Sequence, residues 1–305
     1  MLVVAAFAVL ACGEATVVTE EPPADKAAKK AKAAPEPEVE PEQPPEEEAE
    51  AIASDRKLPK TPASFDEAVA AAKEIHDDHR RDFFCGCTYG TTGKVLKPSC
   101  GYRTRADDSL AKRIAWDRVV PVYAFGAHRP CWKSPICKDG SGNAFSGVQC
   151  CRETDPVFRA MEADLHNIVP MISELNADRS NFPYAEVPKE DRLYGACDVE
   201  VDRAKKLIEP PESVRGDIAR IHLYMRDVYG DELPLTPAEI AMFEAWNTAD
   251  PPDAWEVDRN RRVATIQGRA NDHLPIRLPA GGEAEPAEPE AAPAVPAEGA
   301  VHGSP

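Results

Sequence analysis

Nine cysteines are the most reactive side chains of this 305-residue chain, and eight of them fall in one stretch: Cys85, Cys87, Cys100, Cys131, Cys137, Cys150, Cys151 and Cys197. A dense, even set of thiols serves either as disulfides or as a thiolate metal site. Zinc knuckles use paired C-x2-C spacings, which this set lacks, so disulfides are the expectation. Pairing is open from sequence, apart from a local guess of Cys87 with Cys100 across a turn-rich span. The second group is cationic. Arg259 and Arg262 are three apart on a helical pattern and share a face, as Arg215 and Arg220 roughly do. Such pairs can contact nucleic-acid phosphates in a sequence-independent, salt-sensitive way. Alternatively, Asp217, Asp227, Glu256 and Asp258 neutralise them on solvated helix faces. By themselves, Asp117-Arg118 reads as a charged pair at a strand end, and Asn167, three residues before Pro170, as a helix-terminating residue. Of the histidines, His166 and His222 read as packing residues, whereas His128 lies in a loop.

The elements that must position these residues are mostly helical. Ser64-Phe65-Asp66-Glu67 is a capping box opening an Ala-rich helix to about Arg80. Residues 85–104 read as irregular or short hairpin structure. Arg113 to Val120 is β-branched and partly alternating, a strand. Residues 127–151 have the Gly, Pro and Cys of a stapled loop. Thr154 is expected to cap a helix through Phe158, Met161 and Leu165, continuing to Ser173 with an interruption at Pro170. Three further helices follow: Val214 to Tyr229; one opened by Thr236-Pro237 and running through Trp246; and one opened by Asp250-Pro251 and stopped at Gly268. Many helices with one small antiparallel sheet make an α+β fold.

Composition sets the limits of the folded part. Residues 13–60 and 276–305 contain no Phe, Trp or Tyr and hold 14 of the 30 prolines, so both read as disordered, acidic, Pro-rich segments. The domain is about 61–275. Of the net charge of −17, −6 lies in the first segment, −4 in the last and −7 on the domain. Bulk charge therefore gives no argument for a polyanionic partner, and a nucleic-acid site would have to be a local basic patch. Leu2 to Ala11 is an apolar run ending at Cys12, too short to span a bilayer and suited to a signal peptide. It resembles a bacterial lipoprotein signal, with Val9-Leu10-Ala11-Cys12 as lipobox. This implies an exported protein in the periplasm or cell envelope, lipidated at Cys12 and tethered to a membrane by residues 13–60.

Three strings carry a family resemblance. They are Arg81-Asp82-Phe83-Phe84-Cys85-Gly86-Cys87, then Arg113 through Trp116-Asp117-Arg118-Val119-Val120-Pro121 to Gly126, then Met161 through Asp164-Leu165-His166-Asn167 to Pro170 with Asn176-Ala177-Asp178-Arg179-Ser180-Asn181. With Tyr194-Gly195-Ala196-Cys197, Arg215 to Arg220 and Trp255 to Gly268, they resemble the bacterial endonuclease I family from about residue 65 to 275. The resemblance implies a ββα-metal nuclease fold and non-specific hydrolysis of DNA, with RNA a further substrate. It also implies a divalent ion, Mg2+ or else Mn2+ or Ca2+. No protein partner is expected, and the chain is read as a monomer.

By that resemblance, Asp117 and Asn167 hold the metal, the family's general-base His falls on Arg118, and its loop Arg falls on Val148. Arg215, Arg220, Arg259 and Arg262 then lie in the substrate-cleft helices. Two roles are filled by unsuitable residues. A guanidinium has no lone pair with which to accept a proton, and Val148 cannot hold a phosphate. Loss of a base is worth about 10²–10⁴ in rate. The alternatives to an active nuclease are a catalytically silent descendant that binds nucleic acid or an envelope partner, and a structural envelope protein.

Overall fold

The computed structural model describes residues 58–188 and 191–275. The expected signal peptide, Cys12, the linker up to residue 57 and the tail from 276 lie outside the described residues. Among the described residues no helix is long and apolar enough to cross a membrane. The described fold begins at Leu58, three residues into the expected linker: Leu58 packs on the main core, and the Lys60 N–H donates to the Gln267 carbonyl at 2.9 Å.

In chain order the elements are α1 (Phe65–Ile75), α2 (Asp108–Ala111), β1 (Ile114–Arg118), α3 (Val122–Gly126), α4 (Pro130–Lys133), β2 (Cys137–Lys138), β3 (Ala144–Phe145), α5 (Val148–Thr154), α6 (Pro156–Glu162) and β4 (Ile168–Ile172). They continue with α7 (Ser173–Arg179), β5 (Glu200–Asp202), β6 (Leu207–Glu209), α8 (Arg215–Tyr229), α9 (Pro237–Ala249) and α10 (Ala254–Gln267). The α+β reading stands, with three two-stranded antiparallel sheets among the described residues in place of one: β1 with β4, β2 with β3, and β5 with β6.

The sheet that matters most is β1–β4, registered Trp116 opposite Pro170, Asp117 opposite Val169 and Arg118 opposite Ile168. It corrects the expected helix through residue 173. The helical signal ends at Glu162, and the chain turns back as a fully buried strand. A strand covered on both faces shows no alternation, so Ile168 to Ile172 gives a continuous apolar run that periodicity cannot tell from a buried helix. Trp116 and Ile168 pack with Ala68, Ala72 and Ile75 of α1 and Val263 of α10, whereas Val169 and Met171 join the larger core.

Helix caps decide the remaining boundaries. The Ser64 hydroxyl accepts from the Glu67 N–H, but Glu67 reaches back to Ala63, and α1 ends at Ile75, short of Arg80. Asp155, one residue beyond the expected Thr154, caps α6 through the Phe158 N–H. Thr236 caps α9 ahead of Pro237 as expected, and Glu239 completes a capping box with it. Asp253 caps α10, leaving Asp250 to accept from the Gly216 N–H at 2.8 Å. A Cβ at Gly216 would stand 2.0 Å from the Asp250 carbonyl oxygen, so glycine is what lets α8 approach there. Gly268 ends α10 in the left-handed conformation, φ 70°.

All eight domain cysteines are paired: Cys85–Cys197, Cys87–Cys100, Cys131–Cys151 and Cys137–Cys150. The local guess is met, and zinc is excluded for these thiols. Residues 127–151 are stapled by two of the bonds around the β2–β3 hairpin.

Candidate active site

Asp117 projects from β1 toward α7. Its Oδ2 accepts from the Asn176 Nδ2 at 2.9 Å and its Oδ1 from the Arg118 backbone N–H at 2.8 Å. The Asn176 Oδ1 is buried and meets no donor among the described residues. A half-exposed carboxylate hydrogen-bonded to an amide whose own oxygen has no donor brings together two side chains of the oxygen type a divalent ion of the Mg2+ class takes, and a half-turn of the amide exchanges its nitrogen for that oxygen at the carboxylate. A buried acceptor without a donor is destabilising, and a cation relieves that. No cluster of three or more His, Cys, Asp or Glu suited to a metal occurs among the described residues.

Both donors are held rigidly. Glu174 anchors α7 by accepting from the Tyr102 hydroxyl at 2.9 Å and from the N–H groups of Arg105, Ala106 and Asp107. Asp178 takes a two-pronged contact from Arg105 at 2.6 and 2.8 Å and a third from the Tyr194 hydroxyl. From the last turn of α7, buried Arg179 donates to the carbonyls of Arg118 and Val119, pinning the end of β1. Two short strands and the helix after them thus form one unit, with Asp117 on the first strand and Asn176 on the helix.

Asn167 is not part of the donor pair. Its side chain is wholly buried and clamps Val120, with Oδ1 accepting from the Val120 N–H at 2.7 Å and Nδ2 donating to the Val120 carbonyl at 3.0 Å. Both ends of the amide are consumed in fixing the chain that leaves β1. Sequence reasoning passed over Asn176, although it stood in the matching string. Reading 168–172 as a strand would have placed it one turn into the following helix.

Arg118 turns to the other side of the strand. Its Nε donates to the Glu162 carbonyl at 2.9 Å and its Nη2 to Glu162 Oε1 at 2.8 Å, and its guanidinium lies 3.6 Å over the Phe65 ring. Nη1 stays 3.4 Å from Asp117 Oδ1. Burial pulls its pKa below the usual guanidinium value, against the pull of Glu162 and Asp117. The same Glu162 carboxylate takes a fork from Arg152 of α5. Val148, at the start of α5, packs on the core.

The proposed cleft arginines separate into two groups. Arg220 is fully buried and forked onto Glu256, with Nη1 on the Asp250 carbonyl. Arg259 is buried, with Nη2 shared by the carbonyls of Leu165, His166 and Ile168 at 2.8–3.1 Å. Neither can reach a phosphate, so for these two the phosphate-contact expectation is corrected. Arg215 is tied to Glu209 at 2.6 Å, and Arg262 to Asp78 and Asp258. Arg262 keeps 30% of its side chain exposed. His166 packs on Tyr224 and bonds the Arg269 carbonyl, and His222 stacks on Phe243. Burial pushes both down to about 4, so both are neutral packing residues. His128 is over a third exposed and 4.0 Å from Glu232, away from the Asp117 contacts.

The model of the Endonuclease I family matches residues 69–275. The chain belongs to the endonuclease I family. It is 37% identical over 221 residues to an extracellular deoxyribonuclease of Aeromonas hydrophila, a match covering 71% of this chain and 91% of the relative. It is 36% identical over 218 residues to Endonuclease-1 of Buchnera aphidicola subsp. Acyrthosiphon pisum (strain APS), covering 70% and 82%. A periplasmic deoxyribonuclease of Aeromonas hydrophila is 37% identical over 227 residues, covering 71% and 90%. Across this endonuclease I chain the matched region coincides with the disulfide-bonded fold.

Proposed function

We propose that this endonuclease I chain is an exported, metal-dependent nuclease that cleaves DNA, and RNA as a further substrate, with β1, β4 and α7 as its ββα-metal unit. The observation that carries the reading is the Asn176 amide, bonded to the Asp117 carboxylate through Nδ2 and with its own oxygen unpartnered. Asp117 and Asn176 would hold a Mg2+-type ion, which when bound supplies Lewis-acid polarisation of the scissile phosphate. Arg118 is buried against Glu162, and its Nη1, 3.4 Å from Asp117 Oδ1, would lend positive charge to the centre without direct contact with the phosphate. Among the residues bonded to Asp117, namely Arg118 and Asn176, neither can take a proton from water. With an arginine at the position of the family's base, the reading is of a slow site in which no side chain bonded to Asp117 acts as base.

Four disulfides fit an oxidising compartment, and relatives named extracellular and periplasmic nucleases support export. The apolar run ending at Cys12 supports a lipid anchor. The chain is read as a monomer with no protein partner.

Supercoiled plasmid with Mg2+, Mn2+ or Ca2+, with and without chelator, tests the reading. Metal-dependent nicking is expected in wild type and lost in Asn176→Ala. Metal-dependent nicking that persists in Asn176→Ala, or nicking that survives chelation, rejects it. A second reading, a silent nucleic-acid-binding descendant, is favoured by one observation: Arg118 is held by Glu162 where the family's base stands. Duplex binding without nicking under any of the three ions would select it.

A further inference from the structure

The Glu162 carboxylate is 3% exposed and takes two guanidinium groups. One suffices to neutralise it. Arg118 already supplies that charge through Nη2, and its Nε bonds the Glu162 carbonyl. The second cation, Arg152, is therefore surplus to the burial of Glu162, and it is the partner that faces solvent, with 41% of its side chain exposed. It engages Glu162 by Nε, at 2.8 and 3.0 Å, and by Nη2. Its Nη1 has no acceptor among the described residues, and the Glu162 hydrogen bonds raise its pKa, so it stays charged.

A guanidinium fixed along one edge and open along the other is a preorganised donor for a tetrahedral oxyanion, because its rotamer entropy is lost before a ligand arrives. It lines a cleft of about 330 Å³ with Ser64, Phe65, Arg159 and the carboxylate of Asp66, so two guanidinium groups face one acid beyond Glu162 there. The place follows from the helix. Arg152 is four residues, one turn, after Val148 on α5 and shares its face. A chain of contacts runs from Arg152 through buried Glu162 and Arg118 to Asp117, so Arg152 is coupled to the Asp117–Asn176 centre through three side chains.

From this geometry we infer that Arg152, oriented by Glu162, holds a backbone phosphate of the nucleic acid on the exposed face of α5, one helical turn along from the apolar Val148. The inference rests on the nuclease reading only for the identity of the polyanion. The exposed face of α5 is then part of the substrate track, whereas buried Arg220 and Arg259 of the later helices are structural.

The test is binding of a fluorescent duplex by the full-length protein in chelator, where nothing is cut, across a salt series. One phosphate contact contributes about 0.9 to the slope of log K against log salt. Arg152→Ala is expected to flatten the slope by about that amount and to weaken binding about tenfold or more at low salt. Arg152→Lys retains the slope while losing the fork. Arg261→Ala, which removes a side chain 74% exposed on α10, changes neither. Thermal unfolding checks that Arg152→Ala is folded, and Arg152→Gln, which can still bond Glu162, should flatten the slope equally. Wild-type binding whose slope is unchanged in both neutral variants overturns this inference alone. Failure of the wild type to bind duplex at any salt overturns it together with the nuclease reading.

Discussion

Asn167 and Asn176 are the same residue type nine positions apart, and their surroundings give them opposite work. Asn167 spends both ends of its amide on Val120. Asn176 spends one on Asp117 and leaves its oxygen free. Asn167→Ala strands a buried N–H and a buried carbonyl, each worth about 1–3 kcal/mol, so urea unfolding should show about 2–4 kcal/mol lost. Asn176→Ala removes an acceptor that was unsatisfied, and its midpoint should stay near that of wild type although metal-dependent nicking disappears. At Arg118 the prediction concerns pH. Without a titrating base, the single-turnover rate should climb about tenfold per pH unit with hydroxide from pH 6 to 8.5. Arg118→His should raise the rate at neutral pH by about 10²–10⁴ and introduce a plateau above the histidine pKa. A wild-type profile that already levels off near pH 6.5 would contradict the absence of a base.

The same contrast recurs among the elements. Arg259 of α10 crosses to the turn between α6 and β4 and satisfies three carbonyls there, so it fixes where β4 begins and hence the register that sets Asp117 opposite Val169. Arg259→Met should lower stability by about 3 kcal/mol or more, with the salt slope of duplex binding by the folded fraction unchanged; a flattened slope would return Arg259 to the phosphate contacts. The sequence made the caps and stops around the site legible, because Ser64, Thr236-Pro237 and Gly268 act on their own backbone neighbours. It concealed β4, since a strand buried on both sides lacks alternation, and with β4 concealed Asn167 looked like the donor on a helix. Arginine spacing predicted shared faces correctly for Arg259 and Arg262 but said nothing about depth. Whether a guanidinium meets carbonyls or solvent is decided by contacts some 90 residues away.

For the whole molecule, the negative domain charge weakens long-range attraction of a polyanion, so the proposed binding would depend on a few oriented cations such as Arg152 and should fall steeply with salt. The disulfides keep the loops around those cations from fraying. Acid opposes this order through the buried histidines. His222 packs between Tyr184 and Phe243, and burial, aided by Arg179, lowers its folded pKa to about 4 from 6.5. The unfolded chain therefore binds the proton that the folded one refuses. The stabilisation is complete above pH 6.5 and drains away as pH falls toward 4, at about 1.4 kcal/mol per unit. Buried Asp82 works oppositely: burial raises it to about 6, so its destabilising effect is relieved over part of the same range. The net profile mixes the two, and comparison with His222→Leu separates them. Between pH 6.5 and 5 the wild type should lose about 2 kcal/mol more than His222→Leu in parallel urea titrations. Equal losses would mean that His222 is protonated inside the folded core.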